Sequence, residues 1–498
     1  MSGVGKAIIV AHRGFLFDDL RSVTPIIQRQ RHWILLSIVV LAGVGCAGWR
    51  QPKPEQKQLE IVNGLFNDRT QAALDVMKLL QTDPCAPVPS PTGTLTSEEA
   101  VQRAVQHNLS LVASAETLPI AQANLVQAGL LPNPTFGQTG AFYFPLSGQG
   151  GAVASDFLIS ETFNGFFAAS FKVAIAKAQR FQASIDIANQ AFGLAQETRL
   201  QFERLASLLR SRQIQERIAQ VYKQAADDAR TKVRAGLVTN ADVNRATIQY
   251  ESAQCQARHY QSEYEGAATQ MNWLMGVQSA PQWKLPDSAK DSPSGAISLP
   301  TAQALEELAL KYRMDLLRAS FDHQIAKGAV WLARLGTYPA TTIGFDAKRD
   351  SSRNWTGGPN FQSPLQFFDP GIVGYWLAEY GLIQTERTYA ALQGQVRQDV
   401  RNALNALQIA DEDVRFYKER MIPQEEENVR EQQLSFRRGN AQFDDLLNTL
   451  REYQDALQAY ESAIQAYQQS VVGLETAVGL SFGRIEEMTG PSNSDVIR

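Results

Sequence analysis

From about Ala168 to Ala235 the chain runs without a proline. At 1.5 Å per residue such a run makes a helix of roughly 100 Å, far longer than any in a globular domain. Along it Ile214, Ile218, Val221, Ala225, Ala229 and Val233 recur at spacings of four or three. That is a coiled-coil seam, rich enough in alanine for close helix approach. A stripe this long cannot be buried by its own helix, so the rest of the chain must supply partners for it. Two shorter helical stretches, about 96–131 and 241–276, add up to a similar length and can cover it end to end.

The partners come from a chain written twice. "RAGLVTNADVNRATIQY" (Arg234–Tyr250) and "RRGNAQFDDLLNTLREY" (Arg437–Tyr453) align at Gly236 and Gly439, Asp242 and Asp445, Val243 and Leu446, and Tyr250 and Tyr453. "LTSEEAVQRAVQHNLSL" is echoed by "LPTAQALEELALKYRMDLL", with Thr96 or Ser97, and Thr301, as N-caps. Pro134 and Pro339 follow these helices in turn. A period near 204 is too long for a solenoid, so this is an internal duplication. The second copy predicts helices over about 301–335, 386–438 and 442–479, with a kink at Pro423, which lacks an N–H and crowds the preceding turn.

Between the helices lie four strand-length, aromatic-rich segments: Thr135–Phe144, Val153–Asn164, Thr341–Lys348 and Gly371–Tyr380. In the second, Phe157, Ile159 and Phe163 share one parity and Asp156, Ser160 and Thr162 the other. "PLSGQGGA" and "RDSSRNWTGGPN" read as hairpin loops. The segments suit outer-membrane strands of about 9–11 residues, or a small soluble sheet capping a helical bundle. Four strands cannot close a membrane barrel, which takes about eight, and an open edge in lipid strands unpaired backbone groups. If these strands cross a membrane, several chains share one barrel. No segment after the leader reaches 18 apolar residues, which excludes a membrane-spanning helix there.

Arg29 and Arg31 precede an apolar run from Trp33 to Val44 that ends in "LAGVGC". This is a positive n-region, a short h-region and small residues before Cys46, the pattern of a bacterial lipoprotein signal with Cys46 lipidated. Gly43 departs from the usual leucine; an ordinary cleaved signal or an uncleaved anchor is the plainer reading. Residues 1–28 read as an over-long leader or a misplaced start. Removing residues 1–45 takes five basic and two acidic residues from 47 and 51, leaving a net charge of −7 and no case for nucleic-acid binding. Cys85 and Cys255 then remain, too few and too far apart for a disulfide framework.

The duplicated tips "RAGLVTNADV" and "RRGNAQFDDL", with a strand pair after each short helix, resemble the TolC-type outer-membrane efflux channel family over about 95–482. The resemblance implies a mainly helical fold with a small β part. Two long helical hairpins per chain build a periplasmic coiled-coil tunnel, and four strands join a shared twelve-stranded barrel in a homotrimer. It implies a bacterial outer-membrane location, with a periplasmic adaptor and an inner-membrane pump as partners. The chain then divides into a leader (1–45), an N-terminal periplasmic segment (46–94), two repeats (95–285 and 299–482) joined by a linker (286–298), and a tail (483–498). The function implied is the exit duct of a tripartite efflux or type I secretion system. The alternative is a structural coiled-coil envelope lipoprotein without a pore.

Within that resemblance, Gly236, Leu237, Val238 and Thr239 match the adaptor-docking tip, and Gly439 and Asn440 form its divergent second copy. A plain turn is the alternative for both. Glycine suits the left-handed position ending each incoming helix, and Thr239 or Asn240 can cap the outgoing one. Asp242, Asp444 and Asp445 fall where members close the channel with acidic residues, although first-turn aspartates are also favoured by the helix dipole alone. Asn448 and Phe436 stand where a second acid and a tyrosine can occur.

No phosphate-binding loop, nucleophile elbow or catalytic constellation is present, so no enzyme, cofactor or metal is expected. Cys255 and His259, at i and i+4, are too few for a zinc site, and Cys255 reads as seam packing.

Overall fold

The computed structural model describes residues 88–143, 152–234, 238–286, 300–349 and 354–489. Cys46, Gly236 and Leu237 lie outside them. The first repeat opens with a short strand β1 (Gly93–Thr94), followed by α1 (Ser97–His107), α2 (Leu109–Ala115), α3 (Thr117–Gly129), β2 (Thr135–Tyr143) and β3 (Ala152–Thr162). The long helix α4 (Asn164–Arg234) and its return α5 (Asn240–Leu274) complete it, with β4 (Trp283–Lys284) pairing parallel to β1. The second repeat runs α6 (Ala302–Tyr312), α7 (Met314–Gly336), β5 (Thr342–Arg349), β6 (Trp355–Gln362), α8 (Ile372–Phe416), a π turn (Tyr417–Met421), α9 (Ile422–Arg438), α10 (Phe443–Val478) and α11 (Phe482–Thr489).

Each opening helix is broken where one was expected to continue. Thr96 and Thr301 cap α1 and α6 as predicted. Asn108 and Arg313 then sit between consecutive helices in extended conformation. Asn108 Oδ1 accepts from the amides of Ser110 and Leu111, restarting the helix.

The fourth expected strand, Gly371–Tyr380, is instead the start of α8. Ile372, Val373, Trp376, Leu377 and Tyr380 follow helical spacing rather than alternation. The strand lies earlier, in the stretch read as a loop. Its Pro359 is tolerated because β6 is an edge strand. Pro423 follows the π turn, whose wider winding accommodates the missing N–H and the bulky ring.

The sheet is antiparallel throughout, ordered β2-β3-β5-β6, with Thr162 opposite Thr342 and Thr342 opposite Gln362. The helices attached to these strands pack in the same order, α3 on α4, α4 on α7 and α7 on α8. Each strand therefore continues one helical stave. Away from the sheet, α4 pairs with α5 and α9 with α10, and α10 crosses to α4.

The seam expected on α4 is real and wider than read. Ile218, Ala225 and Ala229 are buried together with Ala219, Tyr222 and Ala226. They meet Leu446, Leu447, Leu450 and Leu457 of α10 and Ala246 and Ala253 of α5. One buried ion pair crosses this interface, from Arg210 Nε to Glu461 Oε2 at 2.9 Å. Burial raises the Glu461 carboxyl above its ordinary range, and Arg210 opposes the shift.

Candidate functional site: the hairpin tips and the sheet

The second tip is complete. Gly439 has φ +84°, the left-handed conformation in which glycine carries no Cβ penalty. Its amide donates to Phe436 O at 3.0 Å and that of Asn440 to Ser435 O at 2.9 Å, so the last carbonyls of α9 are satisfied. Phe436 is a core residue, its ring 5.2 Å from that of Phe443. Phenylalanine carries no hydroxyl there, so a bond of the kind a tyrosine would make is absent at this position.

At the first tip, Thr239 caps α5. Its hydroxyl and amide engage the Asp242 carboxylate at 2.7 and 3.0 Å. The hydroxyl bond leads the causes that hold the Asp242 carboxyl below its usual range. Val238 is half-buried against the tip core, and Thr239 and Asn240 are exposed.

The acidic residues part company here. Asp242 is occupied by the cap and lies 3.6 Å from Arg245. Asp444 takes Arg245 Nη1 at 2.6 Å, from the other repeat. Asp445 is exposed, and its carboxylate has no partner among the described residues. Sequence reasoning missed the cations that tie the two tips. Besides Arg245–Asp444, Arg437 Nε meets Asp228 Oδ2 at 3.0 Å. Lys232 lies over the Phe436 ring and donates to the Phe436 carbonyl. The signal available was a basic last turn in both incoming helices, Lys232 and Arg234 in one and Arg437 and Arg438 in the other.

At the far end the sheet has two chemically different faces. Register places Phe136, Phe157, Ile159, Phe345, Trp355 and Phe361 on one, with Phe136, Phe345 and Phe361 each more than half exposed. That face also carries Gln138, Glu161 and Arg349, while the other carries Thr135, Ser160, Asp346, Lys348 and Asn360 together with Leu158. A further exposed apolar set, including Phe167, Tyr338, Phe367 and Phe368, gathers where strands give way to helices.

Cys255 is exposed rather than packed, because the α5 seam is formed by Ala246, Ala253 and Ala257. His259 pairs with Glu263 at 3.0 Å. Among the described residues no helix is long and apolar enough to cross a membrane, and no three candidate ligands gather for a metal ion.

Residues 305–480, most of the second repeat, match the family model described as outer membrane efflux protein. The cobalt-zinc-cadmium resistance protein CzcC of Cupriavidus metallidurans is 22% identical over 72% of this chain and 84% of its own. Among solved structures, CusC superposes with a TM-score of 0.66 at 16% identity, covering 80% of this chain and 98% of that one. VceC of Vibrio cholerae gives 0.61 at 17% identity over 78% and 96%. With the duplicated hairpins and the four-strand sheet, these matches make the chain similar in its second repeat to the outer membrane efflux proteins and similar in fold to TolC-type channels.

Proposed function

We propose that this protein is the outer-membrane exit duct of a tripartite efflux or type I secretion machine. It is a passive conduit that docks on a periplasmic adaptor and, through it, an inner-membrane pump. The observation that carries this reading is the shared order of strands and helices, which makes each chain a segment of a tube wall. Both edges of that segment are open among the described residues. On one edge Ile120 of α3 and Leu130 just beyond it are exposed; on the other α8 exposes Trp376, Leu377 and Tyr380. Dissimilar edges joined head to tail close a ring. Three copies supply twelve strands, above the barrel minimum of about eight, with the aromatic face toward lipid and the polar face lining the lumen.

The helical hairpins then project into the periplasm. The tips, Gly236 to Thr239 and Gly439 with Asn440, receive the adaptor, and Asp242, Asp444 and Asp445 line the mouth. The likeness to the cobalt-zinc-cadmium resistance protein CzcC makes cobalt, zinc and cadmium the first cargoes to test. Native mass spectrometry of extracted protein should give three chains, and planar bilayers should show discrete conductance steps. A membrane-inserted monomer, or an assembled protein that never conducts, overturns the reading; the latter outcome favours a poreless envelope lipoprotein.

A further inference from the structure

A cleft of about 530 Å3 opens in the first repeat between α2, α4 and the end of α5. That volume lies within the 300–1,000 Å3 range of small-ligand sites. Its floor is formed by the buried Leu111 and Leu274 and by the helix break at Asn108. The wall is Trp273, 63% exposed, although tryptophan is among the most buried residues on average. Trp283, ten residues on, behaves ordinarily: it is buried and donates its indole N–H to Asn272 Oδ1 at 2.7 Å.

Around Trp273 the lining is polar. Gln190, Glu197 and Ser110 face the cleft, and neither Gln190 nor Glu197 has a side-chain partner among the described residues. Gly193 leaves the α4 side bare, where a Cβ would meet nothing within 4 Å. A mid-helix glycine costs roughly 0.5–1 kcal/mol against alanine, and no contact within the chain requires it here. In the second repeat the arrangement differs. Its notch is filled by Arg313 with Asp315 and Asp399, and Thr476, at the position matching Trp273, turns its hydroxyl back to Val472 O.

A flat exposed indole beside an amide, a carboxylate and a hydroxyl is the chemistry that holds a sugar. The C–H face of the pyranose stacks on the ring, while hydroxyl and acetamido groups take the polar partners. The cleft lies roughly 30 Å from the start of β2, counting 1.5 Å per residue through α2 and α3. On the exit-duct reading, on which its location rests, that is the flank of the tunnel in the periplasm, where the duct passes the cell wall. We propose that this cleft binds a wall glycan, a polymer of β-linked N-acetylated amino sugars.

The test is co-sedimentation of the full-length, detergent-extracted protein with purified peptidoglycan sacculi, with chitotetraose as soluble competitor. Wild type should pellet, and chitotetraose should release it. Trp273→Ala should weaken pelleting at least tenfold with oligomer size unchanged; Glu197→Gln supplies the comparison if Trp273→Ala misassembles. Wild type that stays in solution, pelleting that chitotetraose does not compete, or variants that pellet like wild type would each overturn the proposal. Conductance of the same preparation separates the two readings. A conducting channel that ignores sacculi removes only the glycan site, and sacculus binding without conductance removes only the duct.

Discussion

Gly276 and Gly479 end the outgoing helices of the two repeats in the same left-handed conformation, at φ +71° and +78°. Each also presses against the break in its repeat's opening helix. A Cβ on Gly276 would stand 2.1 Å from the His107 carbonyl oxygen, and one on Gly479 would stand 3.2 Å from Arg313 Cα. The same junction is tied by side chains: Asn108 Nδ2 donates to Leu274 O at 3.0 Å, and Arg313 Nη1 to Ala477 O at 3.4 Å.

Gly276→Ala combines left-handed strain with a backbone clash and should destabilise the junction by about 2 kcal/mol or more. Gly479→Ala meets a looser neighbour and should cost less. Thermal melts of the extracted protein should rank the two in that order; equal melting of Gly276→Ala and wild type would remove the close approach.

The duplication, the seam, the caps Thr96, Thr239 and Thr301, and three of the four strands were legible because each rests on local periodicity or a side chain acting within its own turn. The glycines at 276 and 479 were equally duplicated, but what demands them is a contact with residues more than a hundred positions away. Gly371–Tyr380 has the length and aromatic content of a strand, but its apolar positions 372, 373, 376, 377 and 380 have helical spacing. The true β6, rich in glycine and holding a proline, becomes a strand only because β5 lies beside it. The tip cations were invisible for a similar reason: Arg245 and Asp444 belong to different repeats.

The Thr239–Asp242 cap carries a pH dependence. The Asp242 carboxyl is held low in the folded state, chiefly by the Thr239 hydroxyl, so its contribution is complete above the ordinary carboxylate range. It is lost as pH falls through the depressed folded value. Asp242→Asn should therefore melt below wild type at pH 7, by about 0.5–1 kcal/mol, and the gap should close in strong acid. A gap that widens on acidification would contradict the cap.

The n-region, the apolar run and the small residues before Cys46 predict its lipidation. Labelled palmitate should enter wild type and not Cys46→Ser, while assembly survives because the strands carry their own apolar face. Equal labelling of the two would place the modification elsewhere.

Asp445 is the acid on which a channel gate must rest. Asp242 is engaged by its cap and Asp444 by Arg245, whereas the Asp445 carboxylate is exposed without a partner among the described residues. Three copies around one mouth would place three free carboxylates in a narrow opening, which concentrates cations and repels anions. If Asp445 serves only the dipole of α10, its effect stays local and ions passing the mouth do not sense it. Asp445→Asn is nearly isosteric, so the helix and the assembly should persist. On the gate reading, single-channel recordings should show weaker cation preference, and divalent cations should block the mutant less than wild type. Arg245→Gln should act oppositely, freeing Asp444 and raising cation preference. Unchanged selectivity in a correctly assembled Asp444→Asn/Asp445→Asn channel would remove the acidic gate and leave both aspartates as helix-dipole partners.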